Sequence, residues 1–140
     1  MKILATTNKG GLDDIITPMF ARAPTFTIVE MKDKEIVSVR IIQNQASIQP
    51  SGAGIAATQF VCDLGVNVVL TGNVGPNAFH GLSAAGIKIY RAEGLKVEEA
   101  VKKLLNNELP GITSPIPGMK RGLGMGRGMG KGMGRGRRFL

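Results

Sequence analysis

The stretch Val66-Asn-Val-Val-Leu-Thr-Gly-Asn-Val-Gly-Pro-Asn-Ala-Phe-His80 decides how this chain is read. Val66, Val68, Val69 and Leu70 form a short apolar, β-branched run, which suits a strand buried on both faces. Thr71-Gly-Asn-Val-Gly75 breaks that run. Pro76 then opens a helix, since the first helical position needs no N–H. A buried strand, a glycine turn and a helix start leave free backbone N–H groups at one edge of a domain. In open α/β sheets, ligands bind at that edge. The stretch points to binding and shows no obvious reaction.

Downstream, Ala78, Phe79, Leu82 and Ala85 are the expected buried face of a helix from Pro76 to about Ala85. Gly86 ends it, and Ile87–Tyr90 is the last strand. A further helix over Lys96–Asn107 carries Val97, Ala100, Val101, Leu104 and Leu105 at i, i+3, i+4, i+7 and i+8. Upstream, a helix over Ala53–Leu64 is expected to bury Ile55, Ala56, Phe60, Val61 and Leu64, with Gly65 as its C-terminal cap. Three strands come before it. Lys2–Thr7 is the first, and Thr25–Met31 and Ile36–Ile42 form an antiparallel pair joined by the charged turn Lys32–Glu35. Alternation in the third places Ile36, Ser38, Arg40 and Ile42 on one face and Val37, Val39 and Ile41 on the other.

The order is β-β-β-α-β-α-β-α. Right-handed crossovers make strands one, four and five parallel neighbours, and the hairpin extends the other side. The expected fold class is therefore α/β with a mixed five-stranded sheet.

The chain has 140 residues and a formal net charge of +8, but that charge is unevenly placed. Residues 119–140 hold seven of the 18 basic residues and no acid, which leaves 11 basic against 10 acidic groups in the rest. The basicity belongs to the tail, so a nucleic-acid surface on the domain has little support. Met125-Gly-Arg-Gly, Met129-Gly-Lys-Gly and Met133-Gly-Arg-Gly repeat in tandem. Glycine at alternate positions opposes ordering, so residues 1–111 are expected to form one domain and 112–140 a disordered basic tail. No apolar run reaches the ~20 residues of a membrane span, no signal-peptide pattern opens the chain, and the single Cys62 makes no internal disulfide. A cytoplasmic protein is the expectation.

Three glycine-bearing loops, Asn8-Lys-Gly-Gly11, Ser51-Gly-Ala-Gly54 and Gly72-Asn-Val-Gly75, should gather at the carboxyl edge of the sheet. Each alone is explained by turn formation. Their convergence at helix N-termini suits an anion. Neither a phosphate loop ending in Lys-Ser/Thr nor a GxGxxG is present.

Gly10-Gly-Leu-Asp-Asp14, Thr17-Pro-Met-Phe-Ala-Arg-Ala-Pro-Thr-Phe26, Gly52-Ala-Gly54, Thr71-Gly-Asn-Val-Gly-Pro-Asn-Ala-Phe79 and Ala84-Ala-Gly-Ile-Lys-Ile-Tyr90 carry a resemblance. Together, over roughly residues 2–109, they resemble the dinitrogenase iron–molybdenum cofactor biosynthesis family, the NifX-like group also found as the C-terminal part of NifB. The resemblance implies a ribonuclease H-like three-layer fold. It also implies noncovalent binding or carriage of an anionic iron–molybdenum or other molybdenum–sulfur cluster, with no catalysis and with cluster donor or acceptor proteins as partners. The expected binding residues are Asn8, Gly10, Met19, Phe20, Arg22, Gly52, Gly54, Gly72, Asn73, Gly75 and Asn77, in a protein acting as a monomer. Met19, Phe20 and Phe79 are expected to shield the cluster from water.

Where family members commonly read Pro-His-Phe-Gly-Arg, this chain has Pro18-Met-Phe-Ala-Arg22. Met19 replaces a candidate histidine ligand with a neutral, softer thioether, so it is either a metal ligand or a packing residue. Arg22 is either an anion fork or a salt-bridge partner of Asp13 or Asp14. His80, the only histidine, reads as a surface residue and Cys62 as an unliganded thiol. Asp13, Asp14 and Asp63 make no two-metal set. The tail is read as a solubilising segment, as a contact for RNA or another polyanion, or as a weak soft-metal trap through Met125, Met129 and Met133.

Overall fold

The computed structural model describes residues 1–115. The sequence expectations for residues 116–140 lie outside it. The elements are β1 (Lys2–Thr7), β2 (Thr25–Lys32), β3 (Glu35–Gln43), a 3-10 turn (Gln45–Ile48), α1 (Ala53–Leu64), β4 (Val68–Thr71), α2 (Pro76–Ala84), β5 (Lys88–Arg91) and α3 (Val97–Leu105). They build one five-stranded sheet in the order β3-β2-β1-β4-β5. β1 is parallel to β4 and β4 to β5, while β2 is antiparallel to both β1 and β3. This is the mixed sheet that the element order predicts. Its parallel half aims the carboxyl ends of β1, β4 and β5 at one edge.

Each face of the sheet has its own core. Leu4, Phe26, Ile28, Val69 and Ile89 pack with α1 and α2 on one face; Ile3, Ala5, Val29, Met31, Val68 and Leu70 pack with α3 on the other. Alternate residues of β1 and β4 therefore enter opposite cores, which is why these strands read as continuous apolar runs. α1 and α2 approach closely where Gly81 meets the Thr58 side chain.

Three expectations about faces are corrected. α1 buries Ala53, Ala57, Thr58 and Val61, while Ile55 is 60% exposed. Val61 is buried as expected and Ala56, Phe60 and Leu64 pack half-buried against the core; Ile55 alone falls off the stripe, because small residues let α1 lie close to the sheet and α2. In α2, Ala78 and Leu82 are buried, but the helix ends at Ala84 and Ala85, its C-cap, is exposed. In β3, the alternation is interrupted by a bulge. Glu30 pairs with Ser38 and Met31 with Ile36, leaving Val37 as the extra residue. Ile36 therefore shares the α3 side of the sheet with Val39 and Ile41, the partners of Val29 and Thr27.

Residues 110–112 run along the outer side of β5. Gly111 bridges Tyr90, Arg91 N–H donates to Pro110 O, and Ile112 N–H donates to Ile89 O at 2.8 Å. Ile112 packs against the α1/α2 core, an apolar contact that holds it on β5 although it follows Pro110-Gly111. Among the described residues, no helix is long and apolar enough to cross a membrane.

Candidate functional site

The long connection between β1 and β2 builds most of the carboxyl edge. It starts with a turn in which Gly10 and Gly11 have φ of 97° and 107°, values that favour glycine. The N–H groups of Asn8, Lys9 and Gly10 all donate to Asp14 Oδ2 at 2.8 Å, and Ile15 N–H donates to Asp14 Oδ1. Burial pushes this carboxyl up, but the N–H groups of Gly10, Ile15, Asn8 and Lys9 outweigh it and hold its pKa below the usual carboxylate range. The Gly10 amide is thus already committed to an internal anion.

A chain of buried hydroxyls clamps the same turn. Gly11 N–H donates to Thr27 Oγ1, Thr27 and Thr7 hydroxyls lie 2.9 Å apart, Thr7 and Thr25 hydroxyls 2.6 Å apart, and Thr25 Oγ1 donates to Asn8 O. On the other face, Thr6 Oγ1 donates to Thr71 Oγ1 at 2.9 Å. Sequence reasoning missed these residues. Their signal was five threonines at the matching ends of β1, β2 and β4, where purely apolar residues would suffice for packing.

The connection then crosses the ends of β1 and β4. Thr17 N–H donates to Thr6 O, and Ile16 N–H to Leu95 O. Asn73 N–H donates to Pro18 O and Phe20 N–H to Asn73 O, so Met19 pairs with Asn73 as a single parallel bridge. Asn73 Nδ2 lies 3.9 Å from Met19 Sδ. The first and third glycine-bearing loops are therefore joined directly. Gly72 is required by space: a Cβ there would lie 2.5 Å from Pro18 O, 2.8 Å from Pro18 Cα and 2.5 Å from Glu93 Oε2.

Beyond Met19, Arg22 Nη1 donates to Ser47 O at 3.0 Å and Gln49 O at 2.7 Å. Arg22 therefore holds the 3-10 turn ahead of α1, and no ion pair joins it to Asp13 or Asp14 among the described residues. Buried Asn44 supports this arrangement by donating to Ala21 O and Ala23 O. Asn8, Thr17, Pro18, Met19, Arg22, Ala23 and Pro24 line an open groove of about 250 Å³. Met19 is 41% exposed in it.

The other expected residues are placed differently. Phe20 is 1% exposed and stacks on Phe26 at 6.0 Å, so it belongs to the core and does not line the groove. The alternation of side chains that exposes Met19 turns Phe20 inward. Phe79 is half-buried against the α1/α2 core and His80 is exposed. Gly52 and Gly75 are the N-caps of α1 and α2, and neither helix start has a side-chain cap or an acid in its first turn. Gly54 lies in the first turn of α1 and Asn77, exposed, in that of α2. Among the described residues, no hydrogen bond ties Gly52 or Gly54 to the Met19 or Asn73 loops, and no group of three or more His, Cys, Asp and Glu is placed to hold a metal ion.

The fold and this edge define a class: a small α/β protein whose carboxyl edge is made of loops and helix starts. Residues 1–107 match the model of the dinitrogenase iron–molybdenum cofactor family, and the chain belongs to that family. Its architecture is similar to that of the apo form of the orange protein from Desulfovibrio gigas, which is 36% identical. That match has a TM-score of 0.76 and covers 83% of this chain and 96% of the other. A Thermotoga protein given a provisional NifB designation is 30% identical at a TM-score of 0.69, with 81% and 94% covered. An uncharacterized protein of Methanocaldococcus jannaschii is 32% identical over 94 residues, 67% of this chain and 80% of that protein.

Proposed function

We propose that this chain binds and carries an anionic metal–sulfur cluster, of the iron–molybdenum or another molybdenum-containing type. The binding is noncovalent. The protein acts as an accessory carrier between donor and acceptor proteins in cofactor biosynthesis or delivery, and not as an enzyme. One observation carries this reading. The carboxyl edge holds two helix starts with no side-chain cap and no acid in the first turn, and on the same edge opens a groove whose lining includes Arg22 and no carboxylate. Such an edge attracts negative charge through N–H groups and helix dipoles.

The available donors fit an anionic cargo better than a bare cation. Met19 is the one soft donor in the groove lining, and Asn73 Nδ2 beside it can donate to a sulfide or oxide. Arg22 spends Nη1 on Ser47 and Gln49, and its remaining N–H groups are the donors it would offer to an anion. The orange protein was solved in an apo form, a term that presupposes a loaded one. The ribonuclease H-like character of the sheet belongs to the same reading.

Anaerobic mixing with tetrathiomolybdate, followed by gel filtration and metal analysis, tests the proposal. Molybdenum should co-elute with the full chain and fall sharply in an Arg22→Ala, Asn73→Ala double variant. Equal metal in the two samples rules the site out. A second reading, polyanion contact through the tail, rests on the seven basic and no acidic residues of 119–140. It requires salt-dependent RNA binding that disappears on truncation after Gly118.

A further inference from the structure

The end of β5 carries a charged pair that the groove does not account for. Arg91 is the last residue of β5 and pairs with Thr71, so it stands at the carboxyl edge directly beside the turn that starts at Gly72. Its Nη1 lies 2.5 Å from Glu93 Oε1, and the two side chains are 44% and 31% exposed. The second oxygen, Glu93 Oε2, sits over Gly72, at 2.5 Å from where a Cβ would be. Backbone bonds hold the short loop between them. Ala92 N–H donates to Thr71 O and Gly94 N–H to Ile16 O, so Glu93 has little freedom to move except through its own side chain.

Resting on the function proposed above, we propose that Arg91 and Glu93 form an electrostatic latch that sets the affinity of this edge for anions. Arg91 is the cation on the β5 side of the Gly72–Gly75 turn, opposite Arg22 on the β1–β2 side. Glu93 is the carboxylate that neutralises it in the empty protein, and it stands where an approaching anion would meet it. An incoming anion of higher charge competes with Glu93 for the guanidinium, and the Glu93 side chain swings out to solvent. The substrate class this favours is a compact, multiply charged anion such as a thiometallate. A singly charged anion gains no more from Arg91 than Glu93 already supplies. Asp14 in the β1–β2 connection cannot take this part, because its oxygens are held by four backbone N–H groups.

Anaerobic titration of the full chain with tetrathiomolybdate at low and high salt tests the latch. At low salt, Glu93→Gln should bind about tenfold more tightly and Arg91→Gln about tenfold more weakly, from one charge acting over a few ångströms near the surface. Arg91→Lys should keep most of the wild-type affinity. The double Gln variant should return near the wild type, and all differences should shrink in high salt. Wild-type affinity in both single variants overturns the latch and leaves the carrier reading standing. Equal weakening in both single variants, with lowered unfolding midpoints, also overturns it, because the pair then only braces the loop. No binding by any of these chains overturns the carrier reading and the latch together.

Discussion

Replacing Gly72 with alanine tests whether the carboxyl edge is assembled as described. The added Cβ would lie 2.5 Å from Glu93 Oε2, 2.5 Å from Pro18 O and 2.8 Å from Pro18 Cα. The carboxylate can rotate away, but Pro18 is backbone. Relief requires the Thr17–Phe20 segment to move by about 1 Å to regain ordinary contact distance. That motion stretches Asn73 N–H to Pro18 O, now 2.5 Å, and Phe20 N–H to Asn73 O, now 3.1 Å. Two backbone hydrogen bonds at about 1 kcal/mol each, with about 1–2 kcal/mol of overpacking, give a loss of about 3–4 kcal/mol. Urea unfolding followed by far-ultraviolet circular dichroism measures this directly, and the melting temperature should fall by about 12–17 °C. Thiomolybdate binding should fall with it, since Met19 and Asn73 would no longer be held side by side. Gly54→Ala is the control. Its Cβ enters open space within the first turn of α1, so stability should rise by about 0.5–1 kcal/mol. A Gly72→Ala protein within about 0.5 kcal/mol of the wild type would show that the two loops are not packed as described.

Two further outcomes probe the turn after β1. Thr7→Val should cost about 2–3 kcal/mol in the same unfolding assay, because it leaves the buried Thr25 and Thr27 hydroxyls without their shared partner; an unchanged midpoint would mean that the hydroxyl chain contributes nothing. Asp14 has a folded pKa below its unfolded one, so its contribution is fully present above the unfolded value, about 3.9, and is lost as pH falls through the lower folded value. The wild type should therefore lose more stability than Asp14→Asn on acidification across that window, and parallel pH profiles would remove Asp14 as the cause.

Element types and sheet order were legible because the apolar runs and helical periods are strong. Gly65, Pro76 and the Lys32–Glu35 turn mark boundaries that the fold keeps. Facing was less legible. Ile55 is more apolar than Ala57, yet Ala57 is buried because closeness of approach, not hydropathy, decides which side of α1 meets its neighbours. The bulge at Val37 moves Ile36 to the other side of the sheet, and no residue type announces an extra residue in a β-branched strand. At the site, proximity of the Met19 and Asn73 loops could be inferred from topology, whereas the inward turn of Phe20 depends on one backbone bridge. Arg91 and Glu93 look like ordinary surface charges in sequence. Only the parallel pairing of β4 and β5 brings them to the edge.

The segment Pro110–Ile112 has a bearing on how copies of this protein can meet. Its backbone bonds to Ile89 and Arg91 occupy the outer side of β5, whereas β3, at the opposite border, offers its outer side unpaired among the described residues. A sheet with two open borders can grow from both and is a building block for fibres. Here the two borders differ: Pro110–Ile112 occupies backbone groups of β5 that a second sheet would otherwise use, so β3 is the border on which strand addition meets less competition.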